Sequence, residues 1–242
     1  MDLAGRTALV TGGAHRVGGA LSRALAAAGA QVVINYHESA REAAELVAEI
    51  AATGGRALAV PADVARPEQV RALVGTTIAE FGRLDVLVNS ASRFDRVPFD
   101  EITPEQWDRT IEVNLRGPFL LAQAAAPTLR ATRGCIINML DLSAFQAWPS
   151  FVPHAVSKAG LAHLTRCLAR ALAPEVRVNA IAPGTVLPPQ GFDQQDYAGG
   201  VDRRVVERAG SPADVIRAVQ YLIGAEFVTG EILVVDGGRT LL

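Results

Sequence analysis

Strand-like apolar runs and helix-like stretches alternate along the whole chain, and that rhythm leaves few architectures open. The apolar runs fall at residues 7–10, 31–35, 56–60, 84–88, 134–139, 177–181 and 231–235. Several are continuously apolar rather than alternating, which is the pattern of strands covered by helices on both faces. Helical stretches lie between them at 18–28, 40–52, 67–81, 104–130, 154–172 and 212–223. Pro67, Pro104 and Pro212 suit first helical turns, with Thr103 and Ser211 as N-caps, and Gly29 and Gly54 sit where helices end. Repeated β-α-β units imply one parallel sheet with right-handed crossovers. The expectation is an α/β, doubly wound, seven-stranded parallel sheet flanked by helices, a single domain over residues 1–242. Residues 185–203 break the rhythm. They are rich in Pro, Gly, Gln and Asp, follow a strand end and read as a ligand-side loop.

The sharpest local signal is residues 6–18, where a short strand runs through a glycine-bearing turn into a helix beginning near Arg16. A helix N-terminus carries free N–H groups and is a ready anion site. Glycine lets the backbone approach a phosphate closely. The turn therefore looks built to hold a pyrophosphate, and a nucleotide cofactor is the leading reading.

Composition removes several alternatives. Net charge is −2, from 23 Lys and Arg against 25 Asp and Glu, so no basic excess points to nucleic acid. No apolar run approaches the roughly 20 residues of a bilayer crossing, and the N-terminus does not read as a signal peptide. A cytoplasmic address and no membrane partner are expected. Cys135 and Cys167 sit among apolar neighbours and read as small core residues. No metal site is expected.

At the end of the second apolar run, Asn35, Tyr36, His37 and Ser39 are candidates to meet the adenosine ribose. A carboxylate there would select NAD(H); this chain has Asn35. Arg16 in the glycine turn is positioned to meet a 2′-phosphate and Ser39 to donate to it, which favours NADP(H) over NAD(H). Glu38 argues the other way unless it points to solvent. His15 and His37 line the same region.

Asp141 follows the fifth apolar run, and His154 and Lys158 stand four apart at a helix start, on one face. A carboxyl, an imidazole and an ammonium at the ligand edge of the sheet can move protons.

Together these residues resemble the short-chain dehydrogenase/reductase family, over essentially the whole chain. Thr11-Gly12 through Gly18, with His15, Arg16 and Val17, resembles its cofactor turn. Asp63-Val64 resembles the pair that meets adenine. Asn89-Ser90-Ala91 resembles its Asn-Asn-Ala-Gly element, altered at two places. Asn114 resembles the helix asparagine of its active site and proton relay, and Pro183-Gly184 the turn beside nicotinamide. The tail Val234-Val235-Asp236-Gly237-Gly238 is also family-like.

Within the family the likeness is to pteridine reductases, through Arg16, Asp141 and the run Asn89, Ala91, Ser92, Phe94. The resemblance implies a Rossmann-type NAD(P)-binding domain, hydride transfer to a pterin-like heterocycle, and Phe94 stacked on it. Asp141 and His154 would face the substrate and Lys158 would hold the nicotinamide ribose. The chain departs from the family at His154, where Tyr-x-x-x-Lys is usual. Three possibilities follow: imidazole transfers the proton; Asp141 donates, its carboxyl kept protonated by burial; or turnover is impaired. The alternative functions are a carbonyl or alcohol oxidoreductase on another small molecule, and an NADP(H)-binding sensor or scaffold. The family implies a homo-oligomer, dimer or tetramer, on the helices at 104–130 and 154–172. Leu161, Leu164, Leu168 and Leu172 form either a helix seam or a face toward the sheet.

Overall fold

The computed structural model describes residues 1–187 and 204–242. The expected substrate loop therefore lies outside the described residues, except for 185–187. Strands β1 (Thr7–Val10), β2 (Gln31–Tyr36), β3 (Arg56–Pro61), β4 (Val86–Asn89), β5 (Cys135–Met139), β6 (Arg177–Pro183) and β7 (Ile232–Val235) form one sheet in the order β3-β2-β1-β4-β5-β6-β7. All pairings are parallel. The order reverses between β1 and β4, so their C-terminal ends open a crevice, the usual place for a ligand in such a sheet.

Helices α1 (Arg16–Ala27), α2 (Ala40–Ala52) and α7 (Pro212–Gly224) cover one face, and α3 (Pro67–Phe81), α5 (Gly117–Thr132) and α6 (Val152–Ala171) the other. Alternation within β1 sets this up. Ala8 and Val10 pack with Leu21, Leu25, Leu46 and Val219 on the first face. Leu9 packs with Leu73, Leu121 and Leu129 on the second. The central strands are mostly apolar on both faces because both meet helices.

The helix punctuation is as expected. Thr103 caps α4 (Pro104–Ile111) in a reciprocal capping box with Gln106, and Ser211 does the same for α7 with Asp214. Gly29 and Gly54 follow α1 and α2 with left-handed backbone.

Two expectations need correcting, and one left open between two readings is narrowed. The stretch 104–130 is not one helix: α4 gives way to a π turn at Glu112–Arg116 before α5 begins. Pro118 is the reason. It has no N–H to give the carbonyl four residues back, which belongs to Asn114, so the regular ladder cannot continue there. Cys135 is buried, but Cys167 is exposed. It lies off the α6 face that buries Leu161, Ala162, Thr165 and Ala169. The α6 leucines do not form a free seam: Leu161 and Leu172 are buried in the chain's own core, with Leu164 and Leu168 packed partly buried against it.

Among the described residues, no helix is long and apolar enough to cross a membrane, and no group of three or more His, Cys, Asp or Glu side chains could hold a metal ion.

Candidate active site

The crevice between β1 and β4 is built largely from backbone. A Cβ on Gly12 would come 3.0 Å from the Ala91 Cα, and one on Gly18 would come 2.1 Å from the Gly12 carbonyl oxygen. Only glycine lets α1 start this close to the turn. The Thr11 hydroxyl accepts hydrogen bonds from Ser90 N (3.0 Å) and Ala91 N (3.1 Å), tying the turn to the β4 end. No side chain caps the start of α1, and its first turn holds no acidic residue. That leaves an electropositive helix end facing the crevice. The buried Asn89 Oδ1 has no hydrogen-bond partner there. Its Nδ2 donates to Asn138 Oδ1 (2.8 Å), whose own Nδ2 donates to Thr165 Oγ1 (2.9 Å). An uncapped helix start, a close-packed glycine turn and an orphaned acceptor fit a dinucleotide's pyrophosphate and ribose.

Arg16 takes φ +52°, the left-handed region that glycine favours. His15 and Arg16 are exposed and Val17 partly so. Asn35 does not face the ribose position. Its side chain turns inward, and its Nδ2 donates to the Ala62 carbonyl (3.0 Å) and more weakly to Val60 (3.4 Å). It shares the face of Val33, so strand alternation points it at the core. The exposed edge there is carried by Tyr36, His37, Glu38 and Ser39. The Glu38 side chain is 89% exposed and faces His37 at 3.9 Å, pointing to solvent. Asp63 Oδ1 accepts from Ala65 N (2.9 Å), and Val64 is buried. Pro183 ends β6 beside Val235, and a Cβ on Gly184 would meet Asp236 at 2.8 Å.

The β5 end is built from side chains. Asp141 opens a 3-10 turn (Leu142–Ala144). Its Oδ1 accepts from Ser143 N (2.8 Å) and Ser143 Oγ (2.5 Å), and its Oδ2 lies 2.7 Å from His154 Nε2. The other ring nitrogen, Nδ1, lies 2.9 Å from the Arg93 carbonyl oxygen. Asn114, carried by the π turn, grips the same residue. Its Oδ1 accepts from Arg93 N (2.7 Å), and its Nδ2 donates to Arg93 O (3.0 Å) and to Ser157 Oγ (3.0 Å). Ser157 Oγ donates to His154 O (2.6 Å). Nε2 of His154 therefore faces an acceptor, while Nδ1 lies between an acceptor, the Arg93 carbonyl oxygen, and a donor, Asn114 Nδ2 at 3.3 Å.

Accessibility orders this pair. The His154 side chain is 3% exposed and that of Asp141 is 24%. The carboxylate is the outer member and the imidazole lies behind it. Lys158 is buried and donates from Nζ to the Met139 carbonyl (2.7 Å). Burial pushes the Asp141 carboxyl up. The His154 hydrogen bond, the Lys158 charge and the Ser143 hydroxyl outweigh it and bring the group to about 2. Of the three possibilities, this argues against the one in which burial keeps Asp141 protonated: its partners hold it as a carboxylate. Burial lowers the Lys158 ammonium, with Asp141 opposing.

Phe94 stacks on Phe151 (centroids 4.4 Å, 16°) and stands edge-on to His154 (4.7 Å, 85°), with Trp148 at 6.3 Å. One face of the Phe94 ring is thus taken, yet 42% of the residue stays exposed.

The structure brings Asn114, Asp141 and His154 into one bonded group with Phe94 against it, and Lys158 behind. Ser143, Ser157, Phe151 and the Arg93 carbonyl belong to that group and were not expected from the sequence. Ser143, two residues after an aspartate, carries a local turn signal; the others act across the chain and leave none.

The family model described as Enoyl-(Acyl carrier protein) reductase matches residues 12–240. The 3beta-hydroxysteroid dehydrogenase 1 of Eggerthella lenta is 39% identical, with 99% of this chain and 95% of that protein covered. A dehydrogenase/reductase from Sinorhizobium meliloti 1021 superposes with a TM-score of 0.92 at 36% identity, covering 98% of this chain and 96% of its own. A blue fluorescent protein from a metagenomic library, solved in complex with NADPH, gives 0.90 at 35% identity, covering 99% of both chains. With the sheet order, the glycine turn and the β5 end in agreement, this chain belongs to the short-chain dehydrogenase/reductase family.

Proposed function

We propose that this chain is an NADP(H)-dependent reductase of a flat, nitrogen-bearing heterocycle of the pterin kind, with the Asp141–His154 pair as its proton source. The observation that carries the reading is that pair: a half-buried carboxylate backed at 2.7 Å by a buried imidazole. Bound NADPH supplies a hydride, which reduces a carbon of the substrate C=N bond.

The chain's own residues bind, orient and move the proton. Gly12, Val17 and the α1 start hold the pyrophosphate, while Asp63 and Val64 flank adenine. Asn89, Ser90 and Ala91 line the crevice, Lys158 holds the nicotinamide ribose, and Pro183-Gly184 backs the nicotinamide. His15, Arg16, His37 and Ser39 surround a 2′-phosphate. Glu38 points to solvent and does not oppose it. The NADPH complex of the metagenomic relative supports this cofactor choice.

As the carbon is reduced, the Nε2 hydrogen of an imidazolium His154 moves onto Asp141 Oδ2, and the proton passes from there to the adjacent substrate nitrogen. Asp141 ends as it began, a carboxylate. The imidazole is left neutral and takes a proton back from solvent before the next turnover. Asn114 fixes the ring's other side through the Arg93 peptide. The exposed part of Phe94 stacks on the heterocycle, an arrangement that aromatic quadrupoles favour. A homo-oligomer in the cytoplasm completes the proposal.

A second reading, oxidoreduction of a carbonyl or alcohol on another small molecule, is favoured by the name of the Eggerthella lenta relative. One screen decides: NADPH oxidation with dihydrobiopterin, dihydrofolate, a 3-oxosteroid and simple aldehydes. Preferred turnover of the pterins supports the first reading, and steroid or aldehyde turnover alone replaces it with the second. Tight NADPH binding with no turnover of any of them makes the chain a cofactor-binding protein and overturns both.

A further inference from the structure

We propose that Ser143 is a positioning residue for proton transfer, holding one oxygen of Asp141 so that the other serves His154 and the substrate. This rests on the reading of Asp141 and His154 as the proton source, and it concerns a residue that reading does not use.

A carboxylate has two equivalent oxygens, and rotation about its last bond exchanges them. Proton delivery needs one oxygen committed to the histidine and the crevice. Here the division is complete: both donors of Ser143 go to Oδ1, and the Nε2 of His154 goes to Oδ2. The Ser143 Oγ contact, 2.5 Å, lies in the range of an O–H donating to an ionised carboxylate. Ser143 is 4% exposed, so water has little access to replace its hydroxyl. The 3-10 turn fixes the serine backbone and aims N–H and O–H at the same oxygen. Rotating the carboxylate out of this orientation would break both bonds at once. The hydroxyl therefore does two things. It holds the carboxylate in the orientation that points one oxygen at the histidine and the crevice, and it favours the ionised form of the outer member of the pair.

Ser143→Ala removes the hydroxyl and keeps the backbone N–H; Ser143→Thr keeps both donors. The direct readout needs neither cofactor nor substrate: the carboxyl carbon of Asp141, followed by 13C NMR from pH 7 to pH 3 in the full chain. Wild type stays flat over that range, as a group at about 2 requires. In Ser143→Ala the midpoint moves up by about one unit, the size expected for losing one charge-assisted donor, and the signal bends below pH 4. Ser143→Thr restores the flat profile. In turnover, Ser143→Ala lowers kcat roughly tenfold with less than a twofold change in NADPH Kd, because only proton delivery is touched. An unchanged titration in a folded Ser143→Ala protein overturns the proposal. So does a Ser143→Thr protein that folds yet behaves like the alanine variant. If no pterin is turned over by wild type, the proposed function fails, while the NMR titration still decides the role of Ser143.

Discussion

The β1–β4 crevice and the β5–α6 corner sit side by side on one sheet edge, yet they are held together differently. In the crevice the contacts are backbone against backbone: a glycine turn pressed on Ala91, a helix start pressed on the Gly12 carbonyl, and one threonine hydroxyl joining two strand ends. At the corner they are side chains bonded to one another, where Asp141, Ser143, His154, Asn114 and Ser157 are linked across three elements. A surface made of backbone tolerates change at many side chains but almost none at its glycines. A corner made of side chains can exchange its acid while the fold stays intact.

Breaking the crevice is expected to have the largest effect. Gly18→Ala drives a methyl group to 2.1 Å from a backbone oxygen that cannot move freely. Overpacking of this kind costs about 3 kcal/mol or more. Thermal unfolding should show a clear fall in Tm, and fluorescence titration should show NADPH binding lost. A stable, NADPH-binding Gly18→Ala protein would contradict the account of the turn.

Acid probes the corner instead. The Asp141 carboxyl is held at about 2 in the folded chain, against 3.8 as its ordinary value. A depressed carboxyl contributes stability that is fully present above its unfolded value and is lost as pH falls toward the folded one. The contribution is on the order of 2 kcal/mol. Denaturant unfolding of wild type should therefore weaken between pH 4 and pH 2. Asp141→Asn should show a shallower decline across the same window. Equal slopes would remove Asp141 from the network.

Arg16 tests where the two regions differ least in energy. A non-glycine residue at φ +52° is strained by about 1 kcal/mol. Arg16→Gly should raise Tm by a few degrees while weakening NADPH at least tenfold relative to NADH, measured by parallel titrations. Higher stability with unchanged NADPH preference would leave the arginine without a role at the 2′-phosphate.

The same contrast explains what the sequence disclosed. The seven strands, the proline-led helix starts and the glycine turn are local patterns, written in neighbouring residues, and they appear in the fold nearly at the expected bounds. Asp141, His154 and Lys158 were legible as residue types at one sheet edge. Their linkage was not, because it runs through the Arg93 carbonyl and the Ser157 hydroxyl, brought there only by tertiary folding. Asn35 turns inward for a reason its strand position does carry: alternation puts it on the face of the buried Val33, not at the ribose. The broken helix at Glu112–Arg116 had a visible cause, Pro118 four residues after Asn114, but proline within an apolar helical stretch gives no sign that a π turn will follow. The protonation of Asp141 depended on three partners from separate positions, and no single-residue argument could weigh them.

The claim that the carboxylate and imidazole act as one proton source is tested most directly by a double-mutant cycle. Steady-state NADPH oxidation with dihydrobiopterin is measured for wild type, Asp141→Asn, His154→Phe and the double variant, from pH 5 to pH 8. Each single variant should lose on the order of 10²- to 10⁴-fold in kcat with NADPH Kd unchanged, and the double variant should be no worse than the poorer single. Losses that multiply, or a His154→Phe enzyme as fast as wild type, would contradict the pair.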